Sequence, residues 1–329
     1  MILNKLKKAF KANRLYLQDF IGSINSKKRY TVVNYSSDAL SYTRSYYFTK
    51  FFKSTGYKFS TYKPSIAFFE THGNRTELEK SDAKIKIFFS GENVHSDVSP
   101  TARLYEDYCL DLVDLSLGYD YLNKSNYIRF PLWLEYFFSP KADKDQIKKM
   151  VDDFNSRTFN KTEFCSLVAA HDKTGVRQNL LAHVNKIGQV HCPGKFAHND
   201  DTLSAVYNDD KALYLNRYRF NLCPENDAFH GYVTEKIFQA FWSDCIPIYW
   251  GADTSPEPCV INPDSFIFFD RENPFEAMEK IRLLETNEKL YSEFKRNPRL
   301  CDGATDWIFS TMSQLQDKID QLLISKDLQ

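Results

Sequence analysis

The sequence has little glycine and proline, 11 and 12 among 329 residues, which excludes a collagen-like or low-complexity chain. It has no surplus of charge: 43 Lys and Arg balance 43 Asp and Glu. A nucleic-acid-binding surface normally carries a basic excess, so nucleic acid is not an expected partner. No Cys-x-x-Cys pair occurs among the seven cysteines, and an odd, scattered set predicts reduced thiols over a disulfide framework. No apolar run approaches the roughly 18 residues that a membrane-spanning helix needs. The first residues are basic but lack the continuous apolar core of a secretory signal. Together these absences predict a cytoplasmic protein. The Walker A, G-x-G-x-x-G, H-E-x-x-H and G-x-S-x-G strings are also missing, which removes the main ATPase, dehydrogenase, zincin and hydrolase signatures. The seven histidines show no metal-ligand spacing. The one Asp-x-Asp string, Asp143-Lys144-Asp145, falls at a predicted helix start, where acidic residues complement the helix dipole. No essential metal and no cofactor are expected.

Aromatic residues are plentiful, 16% of the chain, so large buried cores are expected. At roughly 100–200 residues per domain, the length suits two domains. Residues 1–28 read as a basic amphipathic helical extension. Leu3, Leu6, Phe10, Leu17, Ile21 and Ile24 recur at helical steps among many Lys and Arg, a pattern that suits either a surface helix or, through residues 1–24, peripheral contact with an anionic membrane. The expected location is cytoplasmic, at the inner membrane face where that contact is made.

Short apolar runs alternate with helical patterns, the signature of α/β layers. In the first half the runs are Tyr30–Asn34, Ser65–Phe69, Ile85–Phe89, Leu112–Leu117 and Tyr127–Phe130, with a helix near Tyr42–Phe52. In the second half they are Phe164–Ala169, Arg219–Cys223, Ile246–Trp250 and Ser265–Phe269. Helices are predicted at Val176–Asn185, Val233–Trp242, Pro274–Glu285, Asn287–Asn297 and Thr305–Leu323. The polar stretch from Pro140 reads as a join. The expected domains are 29–142 and 143–304, with a C-terminal helix in 305–329 packing back on the first.

Residues 218–252, YRFNLCPENDAFHGYVTEKIFQAFWSDCIPIYWGA, read as strand, polar loop, helix and strand. Such a crossover joins parallel strands, and ligands bind at their carboxyl ends against helix N-termini. Glu225, Asn226, Tyr232, Glu235 and Lys236 cluster at that edge. Glu235 suits sugar hydroxyls, while Lys236 and the helix N-terminus suit phosphate. A second strand-turn-helix unit, FCSLVAA-HDKTG-V, places Arg177 near a helix start, where its guanidinium can grip a phosphate bidentately.

The string FNLCPEN, DAFHG, YVTEK, IFQAFWSDC, IPIYWG resembles the donor-site signature of the α-1,3-fucosyltransferases, family 10 of the glycosyltransferases. IKIFFSGENVHSD, DLSLGYDYL and YIRFPLWL resemble the family's acceptor-domain stretch more loosely. The resemblance covers about Lys84–Trp133 and Phe164–Asp270. It implies a GT-B-like fold, two Rossmann-type doubly wound domains facing across a cleft, with a metal-independent inverting mechanism. The donor would be GDP-fucose, and the acceptor a glycan hydroxyl, N-acetylglucosamine of a lactosamine-like unit with α-1,3 linkage. It also implies Glu92, in SGEN, as general base, and donor-binding roles for Arg177, Asn226, Tyr232, Glu235 and Lys236. A bacterial-type enzyme of polysaccharide biosynthesis would fit this pattern. His95, three residues after Glu92, and Glu70 and His72, ending the run SIAFFETH, are candidate acceptor contacts. Trp133, Tyr136 and Phe137 read as core aromatics ahead of a sugar platform. Two other readings stay open: another GDP-deoxyhexose as donor, or an inactive nucleotide- or sugar-binding module.

Overall fold

Two successive runs of short apolar strands and helices build two separate parallel sheets in the computed structural model. The structure describes residues 21, 26, 28–32, 46–60, 63–71 and 73–328. The basic extension expected over residues 1–28 thus lies almost entirely outside the described residues. One unit holds the chain through Asp143 together with the stretch from Phe309 onward, and the other is Lys144–Ile308.

The first unit runs β1 (Arg29–Val32), α1 (Tyr46–Ser54), β2 (Lys58–Phe59), β3 (Ile66–Glu70), α2 (Arg75–Lys80), β4 (Ile85–Phe89), α3 (Pro100–Arg103), β5 (Leu115–Gly118), β6 (Tyr127–Arg129) and α4 (Leu132–Phe137). Its strands are all parallel, in the order β2-β1-β3-β4-β5-β6. Every residue of β3 is buried, as a parallel strand covered on both faces requires, and this is why the run IAFFE shows no polar alternation. The aromatic surplus is used here. Phe48 of α1 stacks on Phe68 with ring centroids 4.2 Å apart and lies 5.6 Å from Phe89. Such pairs contribute about 0.5–1.5 kcal/mol beyond area burial. The strand expected over Leu112–Leu117 begins only at Leu115. Tyr108 and Cys109 both adopt φ of 51°, and the Leu112 amide closes a turn onto the Cys109 carbonyl at 2.9 Å.

The second unit runs α5 (Lys144–Ser156), β7 (Glu163–Ser166), α6 (Val176–Val184), β8 (Val190–His191), α7 (Thr202–Ala205), α8 (Lys211–Leu215), β9 (Tyr218–Pro224), α9 (Glu235–Trp242), β10 (Ile246–Trp250), β11 (Ile267–Phe268), α10 (Phe275–Thr286), α11 (Glu288–Phe294) and α12 (Ala304–Ser325). Its parallel sheet has the order β11-β10-β9-β7-β8. The order reverses between β7 and β9, and in doubly wound sheets the crevice at that reversal is where ligands bind. Residues of α12 from Phe309 onward belong to the first unit, where Lys326 pairs with Asp114 at 3.3 Å and the Tyr57 hydroxyl donates to the Leu328 carbonyl. Asp244, just past α9, is buried among Lys161, Lys295 and Arg299. Arg299 also donates to the Phe154 and Arg157 carbonyls at the end of α5. Two negative helix ends thus accept the surplus of buried cations.

All seven cysteines are free. Among the described residues, no helix is long and apolar enough to cross a membrane.

Candidate functional site

At the β7/β9 reversal the second unit has an open cleft lined by Leu167, Val168, Ala169, Arg177, Lys211, Asn221, Leu222, Pro224 and Lys236. Each charged group arrives there for a local reason. Gly175 stands at the N-cap of α6 with φ of 75°, a left-handed conformation that glycine adopts without a Cβ penalty, and the helix it opens carries Arg177 in its first turn. The guanidinium donates to Asn226 Oδ1 at 2.7 Å and to the His171 carbonyl, so Arg177 from the start of α6 and Asn226 from the loop after β9 meet at one point. Burial draws the Arg177 pKa below its ordinary value, against the opposing pull of Asp172, Glu225 and Tyr232. Tyr232 itself is buried.

Lys236, in the first turn of α9, donates to Glu225 Oε2 and to Thr234 Oγ1, both at 2.8 Å. Burial alone would lower its pKa, but Glu225 and Glu235 outweigh burial and raise it. Glu235, half-buried beside it, is held below the ordinary carboxylate range. Burial works against its charge, and Lys236 and Lys211 overcome that effect. Three cations, Arg177, Lys211 and Lys236, therefore line the cleft, with Lys236 paired to the buried Glu225 and Glu235 ionised under the pull of Lys236 and Lys211. This balance suits a ligand that combines a phosphate chain with hydroxyl groups.

Glu225 is a correction to the expected donor set. It is fully buried, and its oxygens are taken by the Thr234 amide at 2.8 Å, the Thr234 hydroxyl at 2.7 Å and the Lys236 ammonium. Its role is to position the start of α9. A second carboxylate, Asp253, holds the preceding loop: it accepts from the Gly231 amide at 2.8 Å and pairs with His230 at 2.7 Å. Gly231, with φ of 77°, takes the left-handed step between loop and Tyr232. Lys211 was not anticipated from sequence. It stands at the start of α8, whose N-cap Asp210 accepts from the Leu213 amide, and that cap was the available signal.

In the first unit, the carboxyl edge of the sheet carries the acceptor candidates. Glu92 follows β4 in a turn that Ser90 closes, its hydroxyl donating to the Glu92 carbonyl at 2.9 Å. Asn93 Oδ1 accepts from the Tyr119 hydroxyl at 2.7 Å and from the His95 amide at 3.0 Å. His95 Nε2 lies 2.7 Å from Asp120 Oδ2, and Nδ1 lies 3.5 Å from Glu106 Oε1. Glu70 ends β3, in register with Phe89 of β4, and is buried. His72 lies outside the described residues. Trp133 is fully buried in the core, whereas Tyr136 is exposed.

Glu135 on α4 was also missed. Burial, with Glu70 nearby, pushes its pKa from 4.5 up to about 8, against a hydrogen bond from the Tyr47 amide. The folded state therefore holds this proton where the unfolded chain releases it. The stabilising contribution is complete below 4.5 and lost as pH rises through about 8. Glu135→Gln keeps the acceptor for the Tyr47 amide and removes the ionisation. Its melting temperature relative to wild type is expected to rise steadily across that window and to level off above it. A gap that stays constant with pH would contradict this.

Residues 158–299 match the family model described as glycosyltransferase family 10 (fucosyltransferase) C-term, and residues 31–136 match the alpha-(1,3)-fucosyltransferase FucT N-terminal domain. The chain is 31% identical over 246 residues to alpha-(1,3)-fucosyltransferase FucT of Helicobacter pylori, an alignment covering 66% of this chain and 47% of that protein. It is 30% identical over 97 residues to alpha-(1,3)-fucosyltransferase B of Drosophila melanogaster, covering 30% of this chain and 22% of that one. The chain thus spans less than half the length of these relatives. Among solved structures, an alpha1,3-fucosyltransferase superposes with a TM-score of 0.60 at 22% identity, covering 88% of this chain and 90% of that one. A structure described as alpha1,3-fucosyltransferase with GDP-fucose gives 0.58 at 21% identity, covering 91% and 95%.

Proposed function

The chain belongs to glycosyltransferase family 10, and from that premise we propose that it transfers L-fucose from GDP-fucose to a glycan hydroxyl with inversion at the anomeric carbon. The observation that carries this reading is the cationic cleft at the β7/β9 reversal, inside the residues that match the family model. A nucleoside diphosphate needs cations at its phosphates, and Arg177, Lys211 and Lys236 supply them. A fucosyl group presents hydroxyls, and the ionised Glu235 accepts hydrogen bonds from them.

In the proposed reaction, Glu92 takes the proton of the acceptor hydroxyl as its oxygen attacks the anomeric carbon from the face opposite GDP. The bond from that carbon to the β-phosphate oxygen breaks, and GDP leaves with the electron pair. Because GDP is a weak base, no protein acid has to protonate it, so one carboxylate suffices where glycoside hydrolysis requires two. Charge growing on the β-phosphate meets fixed cations already in place, which act without reorganisation at the moment of reaction. With those cations supplied by side chains, turnover is proposed to need no metal. The proposed acceptor is N-acetylglucosamine within a lactosamine-like unit.

The test is GDP release from GDP-fucose with and without N-acetyllactosamine, in the presence of EDTA. Acceptor-dependent release that persists in EDTA is the expected result. Release only with added divalent metal would contradict the metal-free mechanism, and GDP binding without turnover on any acceptor would leave a binding module.

A further inference from the structure

The turn after β5 reads Tyr119-Asp120-Tyr121, and its three side chains divide into two kinds. Tyr119 and Asp120 hold the segment that carries Glu92: the Tyr119 hydroxyl donates to Asn93 Oδ1 at 2.7 Å, and Asp120 Oδ2 pairs with His95 Nε2 at 2.7 Å. Tyr121 is of the other kind, with 56% of its surface exposed. The Arg129 guanidinium lies 4.4 Å from its ring centroid, and Arg129 Nε is in turn fixed by the Tyr119 carbonyl at 2.8 Å. A guanidinium over a ring face fixes the ring's orientation.

We infer that Tyr121 is the platform on which the acceptor glycan stacks a sugar ring, next to the base that activates the acceptor hydroxyl. β4 and β5 are adjacent strands, with Phe89 in register with Leu117. Glu92 and Tyr121 therefore emerge from neighbouring strand ends about 4.8 Å apart across the sheet. A large aromatic ring left over half exposed beside polar site residues is the kind of surface that binds a ligand with one apolar face. Sugars of the galactose type have such a face, formed by C–H groups on one side of the ring. The tripeptide also couples the two parts: Tyr121 directly follows Tyr119 and Asp120, whose side chains hold Asn93 and His95 on either side of Val94, just past Glu92. The ligand class is therefore a neutral glycan that offers a C–H face to Tyr121 and a hydroxyl to Glu92.

This inference rests on the transferase reading above. The experiment measures GDP release for wild type, Tyr121→Ala and Tyr121→Phe, varying N-acetyllactosamine and GDP-fucose separately. Tyr121→Ala is expected to lower kcat/KM for the acceptor by at least about tenfold, in the range of an aromatic anchor removed from a binding surface. The KM for GDP-fucose and the acceptor-independent hydrolysis of GDP-fucose are expected to stay as in wild type. Tyr121→Phe, which keeps the ring, is expected to retain acceptor kinetics. Unchanged acceptor kinetics in Tyr121→Ala would overturn the platform and leave the transferase reading standing. Equal losses in donor and acceptor parameters would also overturn it, by showing a structural fault. A wild type that fucosylates no β-galactoside tested would overturn the transferase reading and the platform with it.

Discussion

Glu92→Gln is expected to lower acceptor-dependent turnover by about 10²–10⁴-fold, the contribution of a positioned general base. The substitution is nearly isosteric, and three bonds that hold its turn are made by other groups. Ser90 bonds the Glu92 backbone carbonyl, Tyr119 bonds Asn93, and Asp120 bonds His95. The loss therefore reports on proton removal, with the loop left in place. GDP affinity, which the proposal assigns to Arg177, Lys211 and Lys236 in the other unit, is expected to stay at the wild-type value. Steady-state kinetics and calorimetric GDP binding separate the two. Turnover within a few-fold of wild type would remove Glu92 from the role of base.

Glu225→Ala is expected to have the largest effect on stability. The wild-type carboxylate satisfies the Thr234 amide and hydroxyl and neutralises Lys236. Truncation leaves Lys236 without its nearest counter-charge and the start of α9 without its acceptor. Removing one partner of a buried ion pair costs about 3–5 kcal/mol. Chemical denaturation of Glu225→Ala is expected to show a loss of that size, with GDP affinity falling alongside because Lys236 loses its fixed position. Glu225→Gln keeps an acceptor for the Thr234 amide and is expected to fall between the two. A Glu225→Ala protein as stable as wild type would mean that this carboxylate does not hold α9.

The β9–α9–β10 unit was legible in the sequence because its strands are buried on both faces. IPIYW is therefore an unbroken apolar run, RFNLC is a short run broken only by Arg219 and Asn221, and a helical face separates them. The edge strand β8 was not legible, since two residues carry no period. The same limit applied at the site. Arg177, Asn226 and Lys236 could be read because strand ends and helix starts mark where a parallel sheet binds ligands. Glu225 looked equally suited to a ligand. Only the folded chain shows the Thr234 amide and hydroxyl and the Lys236 ammonium taking its oxygens, and such tertiary satisfaction leaves no local trace. Lys211 stands on a short helix just ahead of the donor motif, and only the fold shows its ammonium donating to the Gln239 side chain of α9. Tyr121 is a single tyrosine in a turn, and its meaning comes from Arg129 and from the Asp120–His95 pair. Glu135 carries no motif in the sequence, because its raised pKa comes from burial and from Glu70, which only the fold brings near it.

The proposed reaction is a single displacement at the anomeric carbon of GDP-β-L-fucose, with one carboxylate as base. The most direct test is the anomeric configuration of the fucosylated product, read by NMR after reaction of GDP-fucose with N-acetyllactosamine in EDTA. An α-L-fucoside is the expected product. A β-L-fucoside, or GDP release with free fucose as the only sugar product in the presence of acceptor, would contradict it.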